Sequence, residues 1–206
     1  LNEKRDQNRI ENFISAMDYR AVKQADEDVK LINTDHVKYL LDLGGGSGAY
    51  AIAFVKTNRK INAAVFDLPD VIPLTEKYIS RAGLTDKIKT IKGNYLTDDI
   101  GNDYDLIYLS AIVHSNSYEE NSRLIRKCAE ALNKNGQLII QDFVMNEDRT
   151  EPAFGTFFAL NMLVNTPEGD TFTEKEISSW LTKAGLSDIK RRETSHGASQ
   201  IIGTKK

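Results

Sequence analysis

The sequence predicts a mixed α/β fold in which seven strands form a mostly parallel sheet, the last strand reversed, with helices on both faces. Three observations carry this expectation. The apolar run Tyr39-Leu40-Leu41-Asp42-Leu43 enters four glycines within five positions, Gly44, Gly45, Gly46 and Gly48, and then a helix-forming segment. That is the strand, turn, helix order of a parallel unit. Short β-branched runs then alternate with helical patterns across at least five units, and parallel strands need crossovers of that kind. Two closing strands are separated only by a short loop through Ser195-His196-Gly197, the spacing of an antiparallel hairpin.

Taken in order, the segment from Leu1 to Val29 is polar and helix-forming, with Ile10, Phe13, Ile14 and Met17 spaced along one helical face. That face packs on the main core, or Phe13 and Met17 also wall a ligand pocket. Val37 to Leu43 reads as the first strand and Ala49 to Lys56 as the first crossover helix. Glycines between them adopt dihedrals that a Cβ forbids and let a ligand lie against the turn, toward which the helix amides point. A tight turn with no ligand is the plainer alternative.

Ile61 to Phe66 is the second strand, ending at Asp67. An acid there can accept hydrogen bonds from both ribose hydroxyls of an adenosine, or it can cap the following helix, with Pro69 near that helix's start. Leu74 to Ala82 continues as helix and stops at Gly83. Ile88 to Lys92 is the third strand, followed by Gly93-Asn94-Tyr95-Leu96. Asp105 to Ser110 is the fourth, and a helix runs from about Glu119 to Leu132 until Asn133-Lys134-Asn135-Gly136 breaks it. Gln137 to Asp142 is the fifth strand.

Beyond Asp142, Met145 to Thr150 reads as polar loop and Ala153 to Leu163 as a helix apolar almost all round. Such a helix is buried or faces a partner chain. Asn165 to Phe172 is turn-rich. Thr173-Glu174-Lys175-Glu176 has the pattern of a capping box, opening a helix that ends near Gly185. Asp188 to Arg192 and Gln200 to Thr204 are the closing strands. No internal repeat or interdomain linker is visible.

Composition narrows the function. The 206 residues are 40% apolar, enough for the core of a single domain, which is the expected organisation. A net charge of -3 gives no positive field to attract nucleic acid, and Lys190-Arg191-Arg192 reads as a solvated strand edge. The single cysteine, Cys128, cannot make an internal disulfide, which suits a reducing compartment and points to the cytoplasm. No apolar run approaches the roughly 18 residues that span a membrane, and no signal-peptide pattern opens the chain. Because the first residue is Leu1 rather than Met, the chain is expected to be a piece of a longer polypeptide.

Several segments together resemble the catalytic domain of the S-adenosylmethionine-dependent O-methyltransferases related to caffeate and acetylserotonin enzymes, especially their bacterial small-molecule branch. They are Leu41 to Gly48, Phe66-Asp67-Leu68-Pro69, Gly93-Asn94-Tyr95-Leu96, His114 after the fourth strand, Asn135 to Asp142, and Asn161 to Pro167. The resemblance covers nearly the whole chain and implies a Rossmann-like class I methyltransferase fold for residues 1–206. Residues 1–30 would then be a helical segment covering the site, with the family's usual N-terminal dimerisation domain absent. It implies S-adenosylmethionine as cofactor, S-adenosylhomocysteine as product, and no metal. It places Asp42, Gly44, Gly45, Gly46, Ser47 and Gly48 at the methionine end of the cofactor, Asp67 with Leu68 at the ribose, Gly93, Asn94 and Tyr95 beside the adenine, and Ser110 nearby.

By the same resemblance His114 is the general base and Asp142 the first of two acids that hold its ring. Thr171 stands where the second acid is found, with Asp170 beside it, and Ser115 and Asn116 replace the Asp-Trp that usually follows the histidine. Phe13, Met17, Met162, Asn165 and Thr166 match positions that border the acceptor, a small and aromatic hydroxyl compound. The resemblance also implies a homodimer for the full-length protein. Independent chemistry agrees: a sulfonium carries its own activation, a phenol benefits from a base, and histidine titrates near neutral pH. Two other readings stand beside this one. Gly44, Gly46 and Ala49 fit a loose dinucleotide pattern, hence a nicotinamide-dependent oxidoreductase. The departures around His114, Ser115 and Thr171 fit a module that binds the cofactor without methyl transfer.

Overall fold

The structure, a computed structural model, describes residues 7–206; the first six residues of the expected N-terminal helical segment lie outside the described residues. The chain forms two compact units, one reaching to Asp99 and the other beginning at Ile100. The first contains α1 (Gln7–Asp28), β1 (Tyr39–Leu43), α2 (Ala49–Thr57), β2 (Asn62–Asp67), α3 (Ile72–Arg81) and β3 (Ile88–Lys92). The second contains β4 (Tyr104–Ser110), α4 (Tyr118–Ala131), β5 (Leu132–Asp142), α5 (Ala153–Asn165), α6 (Glu174–Lys183), β6 (Leu186–Glu193) and β7 (Ser199–Lys205). The seven strands of the sheet run β3-β2-β1 within the first unit and β4-β5-β7-β6 within the second. The first three are parallel, as are β4 and β5, whereas β7 runs against both β5 and β6. The reversed last strand is therefore the one the sequence predicts.

In the first unit, Leu40, Leu41 and Leu43 are buried along β1, as are Ala63, Val65 and Phe66 on β2. Such continuous apolar runs are what strands covered on both faces require. Helix α1 lays Ile10 and Ile14 on Val71 and Leu74 at the start of α3, with Leu68 and Tyr78 packed alongside. Phe13 and Met17, which the sequence groups on the same face, are exposed. The helix covers the core with a narrower stripe than its apolar spacing allows. At its far end the Tyr50 hydroxyl donates to the buried Asp28 carboxylate at 2.9 Å.

In the second unit, helices α4 and α6 begin with complete capping boxes, Ser117 with Glu120 and Thr173 with Glu176. Each satisfies backbone donors that a helix start leaves open. Helix α4 ends at Ala131, as the expected break at Asn133–Gly136 implies, but those four residues already belong to β5 rather than preceding it. The register jumps between Tyr104 and Leu106, Asn135 takes a φ of 65°, and the Asn133 amide reaches Asp105 at 2.9 Å. The turn residues are thus absorbed as an irregularity inside one strand. On α5, only Gly155 and Met162 are buried, while Phe154, Phe157, Leu160, Leu163 and Val164 are exposed. Among the described residues no helix is long and apolar enough to cross a membrane.

Candidate active site

Two clusters of polar residues stand out, one in each unit, both at the carboxyl ends of parallel strands. In the first, Gly44 extends the β1–β2 ladder, its amide donating to the Phe66 carbonyl at 2.7 Å. Gly44, Gly46 and Gly48 take φ values of 69°, 57° and 77°, the left-handed region that only glycine enters without strain. The need for Gly45 is different. A Cβ there would lie 2.6 Å from Asp42 Cγ and 2.8 Å from Val65 Cγ1, so close packing forbids one. A Cβ on Gly46 would meet only Ile14 Cδ1, at 3.8 Å, which leaves the turn with an open face. Gly48 is the N-cap of α2 and brings no side-chain cap; in the first turn the Ala51 amide is taken by the Asp42 carboxylate at 3.1 Å.

Asp67 turns toward this loop. Its Oδ2 accepts from the Gly46 amide and its Oδ1 from the Leu68 amide, both at 2.7 Å. The alternative of a helix cap does not hold, since α3 is preceded by Val71 at its N-cap and has no side-chain cap. Thr75 completes the support by donating its hydroxyl to the Gly46 carbonyl at 2.6 Å. Sequence reasoning missed Thr75, whose only signal is its place on the inner face of α3. Asp42 lies beneath the turn, 1% exposed, and accepts from the Ala51 amide at 3.1 Å. Burial raises its pKa from 3.8 to about 7; the Ala51 hydrogen bond opposes the rise and the nearby negative charge of Asp67 adds to it. Ser47 is buried. Gly93 packs tightly on the Phe66 ring, and the Asn94 side-chain oxygen accepts from the Leu96 amide, leaving Asn94 exposed beside half-buried Tyr95.

The second cluster follows β4, whose last residue, Ser110, is half-buried. His114 sits in a single 3-10 turn, Val113–Ser115. Its Nδ1 lies 2.9 and 3.0 Å from the two oxygens of Asp142, and its side chain is 12% exposed against 3% for Asp142. The Asp142 carboxylate also accepts the Phe143 amide at 2.8 Å. An ionised carboxylate only accepts, so a neutral His114 carries its proton on Nδ1 and leaves the Nε2 lone pair available. The edge of Phe158 meets the imidazole at 4.8 Å between ring centres. Asn116 is buried and donates to Asn121, whose amide in turn donates to the Val113 carbonyl at 2.8 Å. That pair, unnoticed in the sequence, fixes the turn carrying His114.

Asp170 does not reach the imidazole. Its carboxylate takes the Thr171 amide at 2.7 Å and the Arg149 guanidinium at 3.3 Å, while its own amide donates to the His114 carbonyl at 3.0 Å. Met162 is buried; the Thr166 hydroxyl donates to the Met162 carbonyl at 2.7 Å, and the Asn165 amide turns back to Asn161 at 2.9 Å. The other histidines stand apart, His36 ahead of β1 and His196 bound to Thr194 in the last hairpin. Cys128 is buried with its pKa pushed up to about 12, so it is an unreactive thiol. Among the described residues no three of His, Cys, Asp and Glu group closely enough to hold a metal ion.

Residues 2–187 match the profile of the O-methyltransferase domain. A 3-hydroxy-5-methyl-1-naphthoate 3-O-methyltransferase of Streptomyces sahachiroi is 29% identical over 196 residues, which are 95% of this chain and 56% of the relative. An L-tyrosine C(3)-methyltransferase of Streptomyces lavendulae is 32% identical over 165 residues, 77% of this chain and 44% of the relative. The chain spans about half the length of the curated relatives it matches. Human N-acetylserotonin methyltransferase, solved in complex with S-adenosylmethionine, superposes with a TM-score of 0.89 at 23% identity, over 98% of this chain and 57% of the human one. At that identity the likeness is one of fold.

Proposed function

The chain belongs to the O-methyltransferase domain family, and on that premise we propose that it transfers a methyl group from S-adenosylmethionine to the hydroxyl of a small aromatic acceptor. The glycine turn fits such a cofactor, because Gly46 has an open face and the N-cap of α2 beside it, Gly48, brings no side chain. Gly44 to Gly48 would hold the methionine end, Asp67 with Leu68 the ribose, and Gly93, Asn94 and Tyr95 the adenine. Asp42 acts from below, fixing the turn and the start of α2. When bound, the cofactor supplies a methyl group already activated on a sulfonium.

The protein's own part in the chemistry is proton removal and orientation. His114 Nε2 would take the acceptor's hydroxyl proton, and Asp142 would hold the ring in the required tautomer and stabilise the imidazolium. Met162, Asn165 and Thr166, gathered at the end of α5, are proposed acceptor contacts. We further propose that residues 1–206 act as the catalytic domain of a whole protein that is a homodimer, a reading supported by the resemblance alone.

The observation that supports this reading most is the His114–Asp142 pair, in which Nδ1 is held at 2.9 Å and Nε2 is not the nitrogen engaged. Hydroxynaphthoate and tyrosine, in the names of the two relatives, are both hydroxylated aromatics, one methylated on oxygen and the other on carbon. The test is mass spectrometry of products formed from S-adenosylmethionine and a panel of phenols and hydroxynaphthoates, with the methylated atom assigned. Oxygen-methylated product is expected, and His114→Ala should lower its rate by roughly 10²- to 10⁴-fold. Carbon methylation alone would contradict the hydroxyl assignment, and a fully active His114→Ala would remove the base.

A further inference from the structure

The histidine of this site has one orienting acid where the family resemblance implies two, and the second unit shows what stands in its place. Thr171 cannot act as a carboxylate. Instead the backbone of the segment 169–171 closes on His114: the Asp170 amide donates to the His114 carbonyl at 3.0 Å, and Gly169 lies so near that carbonyl and the Thr166 hydroxyl that a Cβ would overlap both. The Gly169 amide is in turn held by the Thr166 hydroxyl at 2.8 Å. The imidazole is thus fixed through its nitrogen by Asp142 and through its peptide by this segment.

The segment is itself tied down by Arg149. One guanidinium nitrogen donates to the Thr171 carbonyl and to the Asp170 carboxylate. The other donates to both oxygens of Glu176, at 2.8 and 2.9 Å. Glu176 is already fixed by the α6 capping box, accepting from the Thr173 amide at 2.8 Å. Arg149 reaches these partners from a φ of 59°, a conformation that costs a non-glycine residue energy and persists where the surroundings enforce it. A planar two-pronged donor is what such an arrangement of a carboxylate and a carbonyl requires, and lysine does not supply it.

We propose that Arg149 is a positioning residue for His114, clamping the 169–171 segment so that the Asp170 amide orients the histidine from its backbone side in place of a second carboxylate. The inference rests on the reading of His114 as the base. It adds that the chain of contacts Arg149, Asp170, His114 holds the histidine backbone so that Nδ1 stays on Asp142, the group that sets the tautomer, and loosening the clamp releases that pair.

The test is nitrogen-detected NMR of the imidazoles, convenient because His36, His114 and His196 are the three histidines in the sequence. In the parent protein His114 is expected in a single Nδ1–H tautomer with a ring proton slow to exchange. Arg149→Gln should give a mixture of tautomers and faster exchange at His114 while His36 and His196 keep their spectra. Asp142→Asn is the positive control. An unchanged His114 signal in folded Arg149→Gln overturns the inference. If that variant loses its native spectrum, Arg149→Lys is read by the same criteria, since it keeps the charge and loses the fork. The measurement uses no acceptor, so its failure is distinct from failure of the base assignment, which appears as undiminished methyl transfer by His114→Ala.

Discussion

Beneath the glycine turn, Asp42 has the Ala51 amide for a partner and almost no contact with water. Its pKa, raised from 3.8 to about 7, has a consequence for stability. Between those two values the folded state keeps a proton that the unfolded chain has released, so stability falls as pH rises through this window and levels off above it. Asp42→Asn keeps an oxygen for Ala51 and has nothing to ionise. Melts from pH 5 to pH 8 should show the variant gaining on the parent as pH rises; parallel curves would contradict the assignment. At His114 the prediction concerns tautomer. Asp142→Asn allows the wrong ring nitrogen to carry the proton, and the rate of methyl transfer should fall about as far as in His114→Ala, by roughly 10²-fold or more, with S-adenosylhomocysteine binding retained in a calorimetric titration.

Helix ends are legible in this sequence because a cap is local chemistry. Ser117 with Glu120 and Thr173 with Glu176 lie three residues apart and do what that spacing implies. Thr173→Ala should cost about 1 kcal/mol in denaturant unfolding; no measurable loss would mean that the α6 start is held by Arg149 and Glu176 alone. Helix α5 is the opposite case. Its composition leaves burial and exposure to a partner as alternatives, and which side chains a neighbour covers is a tertiary fact. Met162 is 8% exposed and Phe157 72%. Met162→Ala should therefore cost about 2 kcal/mol or more by leaving a cavity, whereas Phe157→Ser should stay within about 0.5 kcal/mol in the same assay. Similar losses would mean that the outer face of α5 is covered in solution. The four turn-forming residues at 133–136 do follow the end of α4, yet they lie inside β5 for a related reason: a strand irregularity and a loop share their composition, and long-range pairing decides between them.

Across the molecule, the alternation of strands and helices and the reversed last strand follow from apolar runs and their spacing, so the fold was readable before any coordinates. The cluster at the glycine turn was readable in part. Glycines at 44, 46 and 48 and the acid at 67 announce themselves, yet Thr75 and the support from Asp42 depend on which faces of α3 and β1 meet the turn. His114 and Asp142 were readable only through resemblance, and Arg149, Asn116 and Asn121 not at all, since each acts through contacts that have no fixed spacing in sequence. The central claim is methyl transfer from S-adenosylmethionine, and its most direct test is calorimetric titration of the protein with S-adenosylmethionine and S-adenosylhomocysteine beside NAD and NADP. Saturable binding of the first pair alone, lost in Asp67→Ala, is the result predicted. Binding of the nicotinamides alone, or of none of the four, would contradict it.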